Sequence, residues 1–198
     1  MNFMPKHYKY VLALDPSGAY DEGKGITGWV LMTGTGELMR TGDIDSIEYS
    51  CAEEYWGAHI SLLEEMKDKY DEDIVVVIED YILYPDKSGA QTYSKMETSR
   101  LIGILQMQCY TLYLPYCFQR AVEVKSRWSN QVLTNQNVLK MLGPKKGFSI
   151  STTQGWKKIN KHTLDAYRHA MHYITFKNYN KDKTESKEVS TNGFDNYR

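Results

Sequence analysis

Residues 10–19 read YVLALDPSGA. The apolar residues before Asp15 predict a strand buried inside a sheet, and the Pro-Ser-Gly sequence after it predicts a turn. Asp15 is therefore expected at the carboxyl end of a buried strand. Such a carboxylate either hydrogen-bonds the turn that follows it or belongs to a functional site, because a rigid strand end holds a ligand more accurately than a loop does.

Three later segments also have the pattern of strands. Residues 25–44, GITGWVLMTGTGELMRTGDI, predict two strands around the turn GTGE, and residues 116–125, YCFQRAVEVK, predict another. Residues 73–81, DIVVVIEDY, predict a central strand because apolar β-branched residues occupy both of its faces. That strand also ends at a carboxylate, Glu79.

Helical patterns alternate with these strands. Apolar residues at every third or fourth position predict a helix between residues 50 and 70 and a longer one from about residue 90 to 114, which Pro115 ends. The basic segment rich in Asn and Gln after Lys125 predicts short helices and loops. A final helix is expected over residues 161–176, KHTLDAYRHAMHYITF.

The charge of the chain is unevenly distributed, although its net value is only −1. Thirteen acidic residues lie between Asp43 and Asp80, against two lysines, whereas nine Lys or Arg residues lie between Lys125 and Arg168, against one acid, Asp165. A surface built from the second segment would attract a polyanion such as DNA. The alternative is a basic surface that is only solvated.

Composition excludes several classes of protein. The sequence shows no apolar leader and no apolar run long enough for a membrane helix, so an intracellular protein is expected. Cys51, Cys109 and Cys117 are odd in number and lack CxxC spacing. This favours reduced thiols within the core over disulfides or a zinc site.

The final predicted helix carries an unusual polar line. His162, Asp165, His169 and His172 follow each other at spacings of three, four and three, which places them on one helix face. Such a line is either a functional site or an ordinary solvated surface.

Three carboxylates from separate elements form the most specific pattern. Asp15 and Glu79 each end a buried strand, and Asp165 lies in the first turns of the last helix. Converging oxygen ligands suit Mg²⁺ or Mn²⁺, and two such ions about 4 Å apart can promote phosphodiester cleavage. Local explanations also exist: Asp15 can initiate its turn, Glu79 can be a surface acid, and Asp165 can pair with Arg168 or His169.

Four segments in this order resemble the RuvC family of Holliday junction resolvases, within the RNase H-like nuclease superfamily. They are LALDPSG, GITGWVL, VVVIEDY and HTLDAYRHA, and the resemblance spans residues 9 to 176. It implies an α/β RNase H-like fold with a mixed central β-sheet flanked by helices. We expect one nuclease domain over residues 1–176 and a disordered tail over residues 177–198.

The resemblance also implies the site. Asp15 would bridge two Mg²⁺ ions, for which Mn²⁺ would substitute, while Glu79 and Asp165 would each bind one ion. His162 would replace the fourth acid of the family as a ligand or a water-orienting group. His169, one turn beyond Asp165, is a second candidate for that role.

The implied activity is the resolution of Holliday junctions by paired phosphodiester cleavage in DNA recombination and repair. A homodimer built on the long helix would supply the two cuts. Tyr81 or Tyr84 would stack on an unpaired base, with packing in the core as the alternative. The basic residues expected to contact phosphates are Lys87, Lys95, Arg100, Lys125, Arg127, Lys145, Lys146, Lys157, Lys158 and Lys161.

Two departures from the family pattern suggest a phage-type or divergent member, acting in the cytoplasm of a bacterial or phage-infected cell. AYDEGK lengthens the first turn, and RHA follows Asp165-Ala166 in place of an alanine-rich sequence. Three other functions remain open. They are another RNase H-like nuclease acting on branched DNA or RNA, a junction-binding protein without catalysis, and a zinc hydrolase built on the histidine line.

Overall fold

The main sheet has five strands. The structure is a computed structural model that describes residues 7–21, 23–81, 96–143 and 147–178. The strands are β1 (Tyr10–Asp15), β2 (Ile26–Thr33), β3 (Leu38–Asp45), β4 (Ile74–Asp80) and β5 (Tyr116–Arg120). Their order is β3-β2-β1-β4-β5, with β2 antiparallel to its neighbours and β4 parallel to β1 and β5. The prediction of a mixed central sheet is confirmed.

Five α-helices, two short 3-10 helices (Ser46–Glu48 and Asp71–Asp73) and a second, three-stranded sheet complete the described part of the chain. The helices are α1 (Ala52–Tyr70), α2 (Glu97–Thr111), α3 (Ala121–Arg127), α4 (Asn130–Asn135) and α5 (Lys161–Tyr173), which continues into a wider π-helical turn (Ile174–Asn178). The second sheet is antiparallel and consists of β6 (Leu139–Met141), β7 (Phe148–Thr152) and β8 (Gly155–Ile159).

The two faces of the main sheet bury different layers. Leu12 and Leu14 of β1 belong to a core cluster with α1 and α2, whereas Val11 and Ala13 belong to a cluster with α3, α4, α5 and the second sheet. Because side chains alternate along a strand, Asp15 lies on the same face as Val11 and Ala13. Asp15 therefore faces the layer that contains α5.

The region after β5 differs most from the sequence-based expectation. The strand predicted over residues 116–125 ends at Arg120, and a helix begins at Ala121. Short helices were expected beyond it and are present, but the second sheet was not foreseen. Each of its strands buries few apolar side chains, chiefly Leu139, Ile150 and Ile159, so its stability comes from packing on the main core.

Some of the predicted elements lie partly outside the described residues. The long helix begins at Glu97, where Met96 has a left-handed φ of 52°, and residues 90–95 lie outside the described part. Most of the tail expected to be disordered, residues 179–198, lies outside it as well. No helix within the described ranges is long and apolar enough to cross a membrane. The three cysteines are free thiols, of which Cys109 is buried.

Candidate active site

The carboxyl ends of three parallel strands bring polar side chains together. Glu79 of β4 pairs in register with Gln119 of β5, and Leu14 pairs with Ile78, so Asp15 and Glu79 occupy the next positions of β1 and β4. Residues two positions earlier on all three strands contact the core cluster beneath α5. The side chains of Asp15, Glu79 and Gln119 therefore share one face and point toward α5.

Helix α5 reaches this face because Gly28 lacks a side chain. Gly28 is the β2 partner of Asp15, and a Cβ atom built on it would lie 2.1 Å from the backbone carbon of His162. The helix begins at this contact, where the Asn160 side chain accepts a hydrogen bond of 2.8 Å from the Thr163 N–H. The first turn of α5 thus rests on β2 and places His162 beside Asp15.

Asp15 is almost completely buried, with 8% of its surface exposed. His162 Nδ1 lies 2.8 Å from Asp15 Oδ2. Burial is the largest cause that raises the pKa of Asp15, and the hydrogen bond with His162 opposes it. With the carboxylates of Glu79 and Asp165 also raising it, the pKa of Asp15 is about 6. The same pairing raises the pKa of His162, against its partial burial. Asp15 thus retains its proton to a higher pH than an ordinary aspartate does, chiefly because it is buried.

Glu79 is surrounded by groups that favour its ionised form. Burial opposes ionisation, but the hydrogen bond and charge of His169, the Lys125 ammonium and a hydrogen bond from Asp15 together lower the pKa of Glu79. His169 Nε2 lies 2.8 Å from Glu79 Oε2, and Lys125 Nζ lies 3.8 Å from Oε1. The surroundings thus shift the two pKa values in opposite directions, raising that of Asp15 and lowering that of Glu79.

His169 connects two neighbouring strands from within the core. Its ring is fully buried, and its Nδ1 lies 3.0 Å from Gln119 Oε1. Both ring nitrogens therefore face oxygen atoms, one on β4 and one on β5. A side chain held at both ends in this way fixes the position of the Glu79 carboxylate.

Asp165 lies between two cations of the protein. Lys125 Nζ is 3.1 Å from Asp165 Oδ2, and the Arg168 guanidinium binds Oδ1 and also Asn130 of α4. Burial lowers the pKa of Lys125, but the carboxylates of Asp165, Glu79 and Asp15 outweigh it and raise that pKa overall. The local pairing of Asp165 with Arg168 that the sequence allowed is therefore present within the cluster.

Two of the three carboxylates, those of Glu79 and Asp165, are directed toward these cations. Within the described ranges, no three His, Cys, Asp or Glu side chains converge in the manner of a metal site. The Lys125 ammonium instead lies between the carboxylates of Glu79 and Asp165, where it supplies a single positive charge. The donor set, three carboxylates and one imidazole, has the chemistry that a hard divalent cation requires.

A buried network holds the turn after Asp15. The Tyr55 hydroxyl donates to the Ser17 carbonyl over 2.6 Å, and the Ser17 N–H donates to Thr27 Oγ1 over 3.2 Å. His59 Nε2 lies 2.8 Å from the same Thr27 oxygen, and its Nδ1 lies 2.7 Å from the Tyr55 carbonyl. Burial lowers the pKa of His59 to about 4, so this ring stays neutral and structural near pH 7.

The turn is also fixed against α2. A Cβ atom on Gly18 would lie 2.2 Å from the backbone of Glu97, and the Gly18 N–H donates to Thr98 Oγ1 over 3.1 Å. Only glycine permits this close approach. The DPSG sequence therefore joins β1 to the start of α2, in addition to forming a turn.

The line of histidines on α5 divides in the structure. His162 and His169 contact Asp15 and Glu79, but the ring of His172 packs against Phe176, with ring centroids 4.9 Å apart. The three rings therefore do not meet at one point, and the arrangement offers no support for a zinc hydrolase.

The predicted DNA-contacting residues are dispersed. Lys125 lies in the acidic cluster, Arg127 stacks on Phe176, and Lys157 Nζ donates to the Thr41 carbonyl over 3.1 Å. Tyr81 directly follows β4 and is half-buried, and the remaining described residues of this set are exposed, namely Arg100, Lys158 and Lys161. Outside the described residues lie Tyr84, Lys87, Lys95, Lys145 and Lys146.

Sequence reasoning missed three members of the cluster. Lys125 was assigned to a phosphate-binding surface, and Gln119 and Arg168 were assigned no role in a functional site. Gln119 lies near the end of β5, but the strand predicted over residues 116–125 continues beyond it, so the sequence pattern does not mark Gln119 as a strand-end residue. The position of Lys125 depends on the turn into α3, which the sequence pattern did not predict.

Comparison with known proteins identifies the fold. No protein-family model matches the chain, and no curated protein matches it. One similar structure is RuvC of Thermus thermophilus in complex with a Holliday junction substrate, which is 16% identical in sequence and gives a TM-score of 0.58. The match covers 86% of this chain and 98% of the RuvC chain. A second Thermus thermophilus RuvC structure is 16% identical, with a TM-score of 0.55 and coverages of 88% and 97%.

The chain has the fold of RuvC. The prediction of an RNase H-like α/β fold is confirmed by this likeness and by the order of the five strands. RuvC-like topology therefore accounts for the meeting of β1, β4 and α5, the three elements that carry Asp15, Glu79 and Asp165.

Proposed function

We propose that this chain is a metal-dependent, structure-selective DNA endonuclease that resolves Holliday junctions by paired phosphodiester cleavage. One observation carries the proposal: Asp15, Glu79 and Asp165, from three separate elements, lie in one buried cluster at the carboxyl ends of parallel strands. The likeness to a RuvC bound to a Holliday junction supports branched DNA as the substrate.

Asp15, Glu79, Asp165 and His162 are the residues that would hold the metal, which we propose is Mg²⁺, with two ions in each site and Mn²⁺ as a substitute. Bound there, the ions would activate water and stabilise the leaving oxygen of the phosphodiester. Lys125 and Arg168 would compensate the carboxylate charge before metal binding and would have to yield part of their contacts to it.

His162 would act through its second ring nitrogen. Its Nδ1 holds Asp15, which leaves Nε2 as the atom that would bind an ion or orient the attacking water. Either role requires the neutral ring. Since pairing with Asp15 raises the pKa of His162, the ring stays protonated up to a higher pH than an ordinary histidine does.

We therefore expect cleavage to increase as the pH rises through the range in which His162 loses its proton. His162→Asp should retain Mg²⁺-dependent cleavage and extend it to lower pH, because an aspartate ionises with a pKa of about 4. His162→Ala should lose most activity at every pH. Single-turnover rates on pre-bound junction from pH 5.5 to 9 test this, and normal cutting by His162→Ala would remove His162 from the mechanism.

His169 would position Glu79 without contacting the substrate. Replacing it with Ala leaves the Glu79 carboxylate without its fixed partner, and loss of such a partner commonly reduces metal affinity or activity by about 10- to 100-fold. We expect His169→Ala to need more Mg²⁺ for half-maximal cleavage, and Mg²⁺ to raise its melting temperature less. His172→Ala, one turn further along α5, is the matched control; equal Mg²⁺ dependence in both variants would contradict this role.

A homodimer would supply the two symmetric cuts. Helix α2 exposes the large apolar side chains of Met107 (64%) and Tyr110 (72%), and Tyr113, two residues beyond the helix end at Thr111, is 87% exposed. We propose that this surface forms the interface between two copies of the chain. Sedimentation of the purified protein would measure its oligomeric state.

The decisive experiment is incubation with a synthetic four-way junction and Mg²⁺. Paired nicks in the junction, with flap, Y-shaped and RNA substrates cut much more slowly, would support a resolvase. Comparable cutting of those substrates would indicate another RNase H-like nuclease, acting on branched DNA or RNA. Tight junction binding without metal-dependent nicking would indicate a non-catalytic binding protein, a candidate favoured by the pairing of Glu79 with Lys125 and of Asp165 with Lys125 and Arg168.

A further inference from the structure

The second sheet has two chemically distinct faces. In its register, Ile150 lies between Leu139 and Lys157, and the next row places Ser149 between Lys140 and Lys158. Side chains opposite each other in an antiparallel sheet lie on the same face. One face, with Leu139, Ile150 and Ile159, is therefore buried against the core. The opposite face, here called the outer face, consists of Lys140, Ser149, Ser151, Trp156 and Lys158.

The outer face carries uncompensated positive charge. Lys140 and Lys158 are exposed, and neither has a carboxylate within salt-bridge distance among the residues that the structure describes. Asp165 is the only acid between positions 125 and 168, and it is buried with Lys125 and Arg168. Lys140 and Lys158 lie on the two outer strands of the sheet, and the strand spacing places their Cα atoms about 10 Å apart. They favour a polyanion as the occupant.

An exposed aromatic side chain shares the outer face with these lysines. Trp156 is 42% exposed, whereas Trp29 and Trp128 are exposed by no more than 9%. The Lys140 ammonium lies 3.8 Å from the centre of its ring, a cation–π contact that restrains the indole. Lysines beside an exposed aromatic ring are the combination with which proteins bind single-stranded nucleic acid, by holding phosphates and stacking on unpaired bases.

The outer face also lies close to the acidic cluster along the chain. Strand β8 runs directly into α5, and only three residues separate Lys158 from His162. Four residue steps span at most about 14 Å. A DNA strand bound to the outer face would therefore reach the cluster within a few nucleotides.

We propose that the outer face binds an unpaired stretch of the DNA substrate, with a base stacked on Trp156 and phosphates bound by Lys140 and Lys158. The choice of DNA rests on the proposed function, whereas the face itself is defined by its charge and its exposed aromatic ring. Lys157, the residue between Trp156 and Lys158, points to the other side of the sheet and contacts Thr41. It is excluded from the contact.

This neighbour provides a matched control. Lys157→Ala and Lys158→Ala remove the same charge from adjacent positions of one strand. We expect Lys158→Ala to weaken binding of a fluorescent single-stranded oligonucleotide and of a four-way junction, and to reduce the salt-dependence slope by about one. Lys157→Ala should leave both unchanged. The measurement is fluorescence anisotropy at several salt concentrations with a chelator present, so that no cleavage occurs.

Trp156 gives an independent readout. Trp156→Ala should weaken binding of the single strand by about 5- to 150-fold, the range measured for one base stacked on an aromatic ring. Single-stranded DNA should quench the tryptophan fluorescence of the wild-type protein, and Trp156→Phe should abolish most of that quenching. A fully paired duplex should be affected much less by Trp156→Ala.

Several results would overturn the inference. They are equal effects of Lys157→Ala and Lys158→Ala, wild-type fluorescence unchanged at saturating DNA, equal losses for duplex and single strand in Trp156→Ala, or tighter binding of RNA than DNA of the same sequence. The result is separable from the nuclease proposal. If Lys158→Ala weakens DNA binding more than Lys157→Ala but the protein does not nick the junction, the DNA-binding face is retained and the nuclease proposal fails. If the protein nicks the junction but the two variants bind DNA equally, the nuclease proposal is retained and the DNA-binding face fails.

Discussion

Asp15→Asn should reduce cleavage of a four-way junction by about 1,000-fold or more while junction binding is retained. The amide keeps the size of the side chain but removes the negative charge at the centre of the proposed metal site. A metal ion contributes several kcal/mol to the stabilisation of transition-state charge, and each 1.4 kcal/mol corresponds to a factor of ten in rate. The measurement is the single-turnover rate on pre-bound junction at saturating Mg²⁺.

Asp80→Asn is the matched control for this change. Asp80 also ends β4 and is half-buried, but it follows Glu79 and therefore lies on the opposite face of the sheet. We expect it to cut at near the wild-type rate. If Asp15→Asn cuts within about tenfold of the wild type, the assignment of Asp15 as a metal ligand is wrong.

Asp15→Asn should be more stable than the wild type when metal is absent. The pKa of Asp15 is about 6 in the fold and 3.8 as its ordinary value, so ionisation costs the folded state roughly 3 kcal/mol. The protonated carboxyl group therefore stabilises the fold. This stabilisation is fully present below about pH 4 and is lost as the pH rises through 6. Asn does not ionise, so its advantage in melting temperature with a chelator should appear between pH 4 and pH 7.

Mg²⁺ should reverse this order. Binding to the folded wild type raises its stability, whereas Asp15→Asn should gain little. Melting temperatures measured by calorimetry with chelator and with Mg²⁺ therefore distinguish two roles of Asp15: a ligand for a cation, or a carboxylate that only caps its turn. A wild-type melting temperature that Mg²⁺ does not change would favour the capping role.

Gly28→Ala should destabilise the protein by about 3 kcal/mol and remove most of its activity. The new Cβ atom would lie 2.1 Å from the backbone at the start of α5, so the helix end has to move. Overpacking a tightly packed contact costs about 1 to 3 kcal/mol, and a backbone neighbour cannot relax as a side chain can. Because that helix end carries His162, the displacement also separates His162 from Asp15. Urea denaturation measures the first effect and junction cleavage the second.

Gly103→Ala tests whether glycine replacement alone has this effect. Gly103 lies within α2, and among the described residues no atom outside its own stretch of helix lies within 4 Å of a Cβ atom placed there. Alanine is favoured over glycine in a helix interior by about 1 kcal/mol, so this variant should be slightly more stable than the wild type. Equal stability of the Gly28 and Gly103 variants would show that α5 adjusts to a side chain on β2 without cost.

Much of the site could be predicted because it depends on local pattern. A buried strand followed by a polar turn was enough to place Asp15 and Glu79 at strand ends, and period-two alternation then gives them the same face. Helical spacing placed His162 and Asp165 on one side of α5. These inferences need only the geometry of single elements and the parallel pairing of β1 with β4.

The remainder depended on contacts between distant segments. His169 meets Gln119 across 50 positions, and Lys125 reaches Asp165 only because β5 ends at Arg120 and α3 begins at once. The second sheet was missed for a related reason. Its strands alternate single apolar residues with Lys and Ser, and only the core beneath them makes that pattern favourable as a sheet.

The alternation in β6, β7 and β8 has an evolutionary consequence. Leu139, Ile150 and Ile159 fix the attachment of this sheet to the core, whereas the residues between them on β7 and β8 contribute little to that attachment. Selection can therefore change the outward residues without destabilising the fold or disturbing the acidic cluster. Substitutions at positions 140, 151, 156 and 158 should therefore change the proposed contact of the outer face while the fold and the acidic cluster stay the same.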